Sequence, residues 1–188
     1  MANNAPTVLI VDDEPDVVKI YSLALGDAYD VRTAADGKEA LEKVDESVDV
    51  VLLDRRMPGL SGRDVLEEIR QRAIDVRVGM VTAVDPDFDI AEMDFDAYLT
   101  KPIADEDIRG IVEELVSLSA YDDRTRELFS LVERKAALEA EKTTRELADS
   151  DEYETLSNRV ADLEADAAEA IDDMDQGTVE KVLAVLSE

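Results

Sequence analysis

Cysteine and tryptophan are absent from this chain, and cations are scarce in it. Without cysteine there is no disulfide framework, no thiolate-ligated metal and no thiol nucleophile. That fits a reducing compartment, and a cytoplasmic protein is expected. Long apolar runs are missing as well. None approaches the roughly 20 residues that a membrane helix needs, and Met1 to Pro6 has neither the basic region nor the apolar core of a secretory leader. Only 20 Lys and Arg face 48 Asp and Glu, a formal net charge of −28. No basic cluster offers the footprint of a nucleic-acid binder. The acidic charge runs along the whole chain, which argues against a disordered acidic tail. Self-repulsion of this size disfavours a compact state in dilute salt, whereas at 1 M salt a Debye length of about 3 Å removes most of it. The charge points to the salt-rich interior of a halophile. An acidic mesophilic protein is the alternative.

Up to about residue 104, strand-like and helix-like runs alternate. Val8 to Val11 reads as a strand buried on both faces. Pro15 is placed to open a helix at its first turn. Further strands are expected over Tyr29 to Ala34, Val48 to Leu53, Val76 to Val81 and Ala97 to Thr100, with helices opening near Gly37 and after Ser61, a capping residue. Strands alternating with helices indicate a parallel sheet covered on both faces. From Asp105 onward no strand-like run appears. Ile108, Ile111, Val112, Leu115 and Leu118 close the first unit as a helix. A long helix then carries Leu128, Leu131, Val132 and Leu138. After a break at Asp149-Ser150-Asp151, the positions Tyr153, Leu156, Val160, Leu163, Ala167, Ala170 and Met174 step by three and four as a heptad seam. Gly177 ends that seam, and Val179, Val182, Leu183 and Leu186 form a last short helix. The two longer helices, joined by a short turn, predict an antiparallel hairpin. Its apolar seam needs cover, either within the chain or from a second copy.

Polar residues sit just past the apolar runs. Asp12 and Asp13 follow the first, Asp54 the third, Thr82 the fourth and Lys101-Pro102 the fifth. In an open parallel sheet the carboxyl ends of the strands share one edge, where ligands bind. Three carboxylates, a hydroxyl and an ammonium therefore converge. Carboxylates with waters make an oxygen site for Mg²⁺ or Mn²⁺, and a lysine ammonium is a point-charge partner for phosphate. Pro58 and Gly59 turn the chain away behind Asp54 and leave it at the edge. Lys101-Pro102 is a candidate cis peptide.

Four elements, Val11-Asp12-Asp13-Glu14, Leu53-Asp54-Arg55-Arg56-Met57-Pro58 with Gly62, Thr82-Ala83, and Tyr98-Leu99-Thr100-Lys101-Pro102, resemble in order and spacing the receiver domain of two-component response regulators. The resemblance covers about residues 7 to 118. It implies a flavodoxin-like, doubly wound five-stranded parallel sheet in the order 2-1-3-4-5. It also implies phosphotransfer from a sensor histidine kinase to Asp54. In the same way it implies that Asp13, Asp54 and the backbone carbonyl of Arg56 ligate Mg²⁺, and that Asp12 acts through a coordinated water. Thr82 and Tyr98 would be the switch residues and Lys101 the partner of the acyl phosphate. Between Thr82 and Tyr98 the chain departs from the family pattern. Pro86 and five aspartates disfavour the helix expected there, which puts the usual signalling face in doubt.

Residues 119–188 hold 8 Lys and Arg against 20 Asp and Glu. Direct DNA binding would need cations to neutralise phosphates and is not expected. The segment resembles the HalX domain appended to haloarchaeal receivers, on Leu138-Glu139-Ala140-Glu141-Lys142 and Glu152-Tyr153-Glu154-Thr155-Leu156. The organisation expected is a receiver over 1–118 and an acidic helical output or interaction segment, a hairpin or coiled coil, over 119–188. An unidentified protein partner, or a homodimer, would receive its output, with no membrane insertion. Two other readings stand beside this one: a Mg²⁺-dependent phosphatase with an aspartate nucleophile, and a scaffold that no longer cycles.

Overall fold

Val8-Leu9-Ile10-Val11 has no polar face to give to water, and it lies near the middle of a sheet, fully buried. A computed structural model describes residues 5–118 and 123–172. Its five parallel strands are β1 (Thr7–Val11), β2 (Asp30–Ala34), β3 (Val50–Leu53), β4 (Arg77–Thr82) and β5 (Ala97–Thr100), in the order β2-β1-β3-β4-β5. The expected topology is therefore present. Helices α1 (Pro15–Leu25), α2 (Gly37–Lys43), α3 (Gly62–Gln71) and α4 (Asp105–Leu118) cover the sheet. Local chemistry sets their starts. Pro15 opens α1, Asp36 accepts from the Glu39 N–H, and Ser61 with Asp64 forms a capping box.

The two sheet faces bury separate clusters. One holds Tyr21, Leu25, Ile108, Val112 and Leu115 from α1 and α4. The other holds Val65, Leu66 and Ile69 from α3 with Ile90, Met93 and Phe95. These last three belong to the β4–β5 connection. It contains only a 3₁₀ turn, η1 (Phe88–Glu92), so the shortened element that Pro86 and its aspartates predict is what the chain forms.

The space left by that missing helix is filled from downstream. Helices α5 (Asp123–Glu141) and α7 (Asp151–Asp172) lie antiparallel, with Glu139 paired to Tyr153 and Glu127 to Arg159. Their Leu128, Leu131, Leu138, Leu156, Val160 and Leu163 share one buried cluster with Ile90, Met93 and Phe95. Helix α5 packs on β5 and η1, and α7 packs on η1. The first unit thus covers the described part of the seam, Leu156, Val160 and Leu163. Two expectations are corrected. Val132 is 38% exposed and lies off the apolar face of α5, where the buried polar positions are Ser130 and Arg134. The two long helices are joined by a short helix, α6 (Thr144–Ala148), started by a Thr143–Glu146 capping box, rather than by a plain turn. The side chains of Ala167 and Ala170, and Met174, Gly177 and the helix expected around Val179–Leu186, lie outside the described residues.

Asp96, 5% exposed, organises the end of the sheet away from the carboxyl edge. It accepts from the Val78 N–H at 2.7 Å and from Arg70 at 3.0 Å, and it lies 3.4 Å from buried Arg77. Removing one member of a buried ion network leaves its partners charged and desolvated. Asp96→Ala is expected to lower unfolding stability by about 3 kcal/mol, read as a drop in the denaturant midpoint with an unchanged slope.

Candidate functional site

Strand register brings the polar residues together. Val11 lies opposite Leu53, so Asp12 and Asp54 emerge side by side one residue later, tied by the Asp54 N–H donating to the Val11 carbonyl at 2.9 Å. Thr82 is the last residue of β4 rather than the first beyond it, and it lies opposite Thr100. The Lys101 N–H then donates to the Thr82 carbonyl at 2.8 Å, and the Lys101–Pro102 peptide is cis. All of the expected acids, the hydroxyl and the ammonium sit along this one edge.

Asp12 and Asp54 are buried and Thr82 is fully buried. Carboxylate oxygens of Asp12, Asp13 and Asp54 all fall within 4.8 Å of one another. Lys101 forms an ion pair with Asp12 and stands 3.8 Å from Asp54 and 3.7 Å from Glu14. Burial pushes the Lys101 ammonium down, but the surrounding acids, Asp12 foremost, outweigh it and leave its pKa above the ordinary value. The balance at Asp54 goes the other way. Burial raises its carboxyl above the usual range; the Thr82 hydroxyl and the Lys101 ammonium oppose that, and Asp12 adds to it. Asp54 Oδ1 is buried without a hydrogen-bond partner. A buried carboxylate oxygen with an open lone pair, beside two further carboxylates, fits a small hard cation that prefers oxygen ligands.

This yields a signed expectation. A carboxyl with a raised folded pKa binds more protons folded than unfolded, so stability falls as pH rises from the ordinary carboxylate value through the raised one, and stays lower above it. Mg²⁺ bound at the acids should offset the loss. Thermal unfolding near neutral pH should show a higher Tm for Asp54→Asn than for the unsubstituted chain without Mg²⁺. It should also show a smaller rise on adding Mg²⁺ to the variant.

Three further residues shape the site. Arg55 is not a bystander: it pairs with Asp89 in η1 and donates to the Tyr98 hydroxyl at 3.4 Å. Glu14 reaches Lys101. Gly62 starts α3 hard against the Asp54 backbone, where a Cβ would meet the Asp54 carbonyl oxygen at 2.2 Å. All three stand inside the receiver-like motifs, but the long-range contacts of Arg55 and Glu14 are not encoded by any local pattern. Tyr98 is half-buried, with its hydroxyl donating to the Val84 carbonyl at 2.6 Å and its ring 5.5 Å from that of Phe95.

Comparison with known proteins gives matches to both halves of the chain. A family model described as the response regulator receiver domain matches residues 8–113, and one described as the HalX domain matches residues 117–186. A protein of Haloferax volcanii is 48% identical over 163 residues, 86% of this chain and 27% of that one. The alkaline phosphatase synthesis transcriptional regulatory protein PhoP of Bacillus subtilis is 36% identical over 117 residues, 60% of this chain and 49% of that one. The chain thus spans about a quarter of the first and about half of the second. Among solved structures, the response regulator TrrA of Thermotoga maritima, in complex with Mg²⁺ and BeF, is similar at 32% identity and a TM-score of 0.53, over 58% of this chain and 98% of that one.

Proposed function

The chain belongs to the response regulator receiver family and carries a HalX domain behind the receiver, and from that premise we propose that Asp54 accepts a phosphoryl group from a phosphohistidine on a sensor kinase. The observation that carries the reading is the state of Asp54: buried, desolvated, with Oδ1 unpartnered, and flanked by Asp12, Asp13, Thr82 and Lys101. The chain contains no histidine, so a phosphohistidine donor lies outside these 188 residues.

In the transfer, a carboxylate oxygen of Asp54 forms a bond to phosphorus as the bond from phosphorus to the donor nitrogen breaks. Asp12, Asp13, Asp54 and the Arg56 carbonyl would hold the Mg²⁺ or Mn²⁺ ion, Asp12 through water. The ion supplies positive charge to the acceptor and to the phosphoryl oxygens. Lys101 offers its ammonium to a phosphoryl oxygen, and Thr82 its hydroxyl. Burial lowers the local dielectric and strengthens both contacts. The phosphorylated aspartate then favours the arrangement in which these contacts are best made, with Thr82 and Tyr98 moving between states. Residues 1–118 act as the receiver and 119–188 as the acidic helical output, which addresses a protein partner in the cytoplasm. Among the described residues, the receiver packs against the hairpin's Leu156, Val160 and Leu163.

The site takes one phosphoryl group and returns it to water; it is not a turnover enzyme. The adjacent pair Asp12-Asp13, without the Asp-x-Asp spacing of aspartate-nucleophile phosphatases, supports that. Acetyl phosphate with Mg²⁺ should add one phosphoryl group to the chain by intact mass. An unchanged mass, under conditions that modify a control receiver, would overturn the proposal. Sustained turnover of a phosphomonoester would favour the phosphatase instead.

A further inference from the structure

Arg77, the first residue of β4, is 8% exposed and lies at the edge of the sheet opposite to Asp54. Both of its terminal nitrogens have partners: one pairs with Asp75, and the other lies 3.4 Å from Asp96. Its Nε is buried and has no hydrogen-bond partner. We propose that this nitrogen belongs to a binding site for a small monovalent inorganic anion of the chloride kind, in the cavity between the receiver and helix α5. The site stands or falls independently of the reading of Asp54.

The cavity has a volume of about 260 Å³. Arg70, Arg77, Asp94 and Asp96 line it from the receiver, Arg126 and Glu127 from α5. Arg70 lies 3.2 Å from Asp94 and 3.0 Å from Asp96. Arg126 lies 3.7 Å from Asp75, and Arg134 lies 3.6 Å from Asp94. With the two pairs of Arg77, the ion pairs run without a break through four guanidinium groups and three carboxylates. Glu127 is matched separately, accepting from Arg159 at 2.7 and 3.0 Å. The described network therefore carries a positive charge in excess, within a chain of formal net charge −28. No stretch of sequence displays this cluster, because its arginines are drawn from Arg70 to Arg134 by the fold.

The chemistry of the ligand follows from these two features. Buried polar groups are nearly always hydrogen-bonded, and a guanidinium offers donors only, so the Arg77 Nε calls for an acceptor. A water answers the donor and leaves the charge unmatched, whereas a monovalent anion answers both. Doubly charged anions are disfavoured, because Asp94, Asp96 and Glu127 stand on the same walls and repel the second charge. The volume is several times the share of one water in the liquid, about 30 Å³, so the ion enters with water around it. Its walls come from both halves of the chain. An anion held there ties α5 to the receiver and stabilises the folded chain in step with its occupancy.

The test separates a bound ion from a general salt effect. Thermal unfolding of the full-length chain is followed while potassium chloride replaces potassium sulfate, at a constant ionic strength that keeps the chain folded. Sulfate strengthens burial by its exclusion from protein surfaces, so a general effect lowers Tm as chloride replaces it. Binding at the site should instead raise Tm along a saturating curve. The rise should be roughly 2–4 °C once chloride reaches a few times its dissociation constant, in a chain of this size. Arg77→Gln removes the donor and the excess charge and should lose the rise. Arg126→Gln keeps the donor and should move half-saturation to chloride concentrations higher by roughly two- to fivefold, the scale of one charge near the surface. Arg63→Gln is the control: Arg63 pairs with Glu67 and is not part of the cavity wall, so the rise should stay. Where Arg77→Gln does not fold, Arg126→Gln decides alone. The absence of a saturating rise in the unsubstituted chain overturns the proposal and leaves the cavity to water. Unchanged half-saturation in Arg126→Gln, or loss of the rise in Arg63→Gln, overturns it as well.

Discussion

Asp54→Asn should take up no phosphoryl group from acetyl phosphate and Mg²⁺, where the unsubstituted chain takes up one. The change removes a single negative oxygen and keeps the shape of the side chain. Asp12 and Asp13 remain, so the loss cannot be read as loss of all acidity at the edge. It tests instead whether the nucleophile is Asp54, whose buried Oδ1 has no hydrogen-bond partner. Unfolding is a poor explanation for a negative result, because burial holds the Asp54 carboxyl above its ordinary pKa and the ionised group is a burden on the folded state. The amide relieves that burden, so the variant should be folded, more resistant to heat and silent to the phosphodonor. A phosphoryl group still appearing on the variant, mapped by peptide mass to Asp12 or Asp13, would move the acceptor to the metal side of the site.

Gly62→Ala should damage both stability and transfer, although it adds one methyl group. The Cβ would fall 2.2 Å from the Asp54 carbonyl oxygen and 2.9 Å from the Arg55 Cα. Both are backbone atoms, with no rotamer that clears the way. Relief must come from moving α3 or the Asp54–Arg55 peptide. Overpacking of this kind costs typically 1–3 kcal/mol, and we expect about 3 here because the obstacle is main chain. A nucleophile displaced by about 1 Å can lose roughly a hundredfold in rate, so the rate of phosphoryl uptake at saturating acetyl phosphate should fall well beyond the loss of folded chain. Gly110→Ala is the matched control. Its Cβ would meet nothing within 4 Å, and in the middle of α4 the change should be neutral or stabilise by about 0.5–1 kcal/mol. Equal behaviour of the two variants would remove close approach as the reason for Gly62.

The receiver half could be read from its sequence because its signals are local. An apolar run of four or five residues followed by a polar one fixes both a buried strand and what stands at its end, and Val11-Asp12 and Leu53-Asp54 both follow that rule. Pro86 and the aspartates around it announced a weak helix just as directly. The hairpin was half legible. Heptad spacing gave α7 its face, yet α5 misled at Val132, because the buried face of that helix includes Ser130 and Arg134, polar residues that a hydrophobic pattern passes over. Arg134 is buried because Asp94, the Ala91 carbonyl and the Phe95 ring receive it, and those partners lie about 40 positions away. The partners of Arg55 and Asp96 were unreadable for the same reason: their ion pairs run across the fold. Helix α6 did have a local signal, Thr143 and Glu146 at capping-box spacing, overshadowed by the break that follows it.

The helices that stand in for the absent β4–β5 helix also bear on how this protein is divided. The two family matches meet between residues 113 and 117, but the buried cluster crosses that line: Ile90, Met93 and Phe95 share it with Leu128, Leu138 and Val160. A fragment cut after Leu118 would present these receiver side chains to solvent as an adhesive patch. For this chain the unit of inheritance and the unit of solubility differ, and grafting its receiver onto another effector would require a replacement lid as well as a linker.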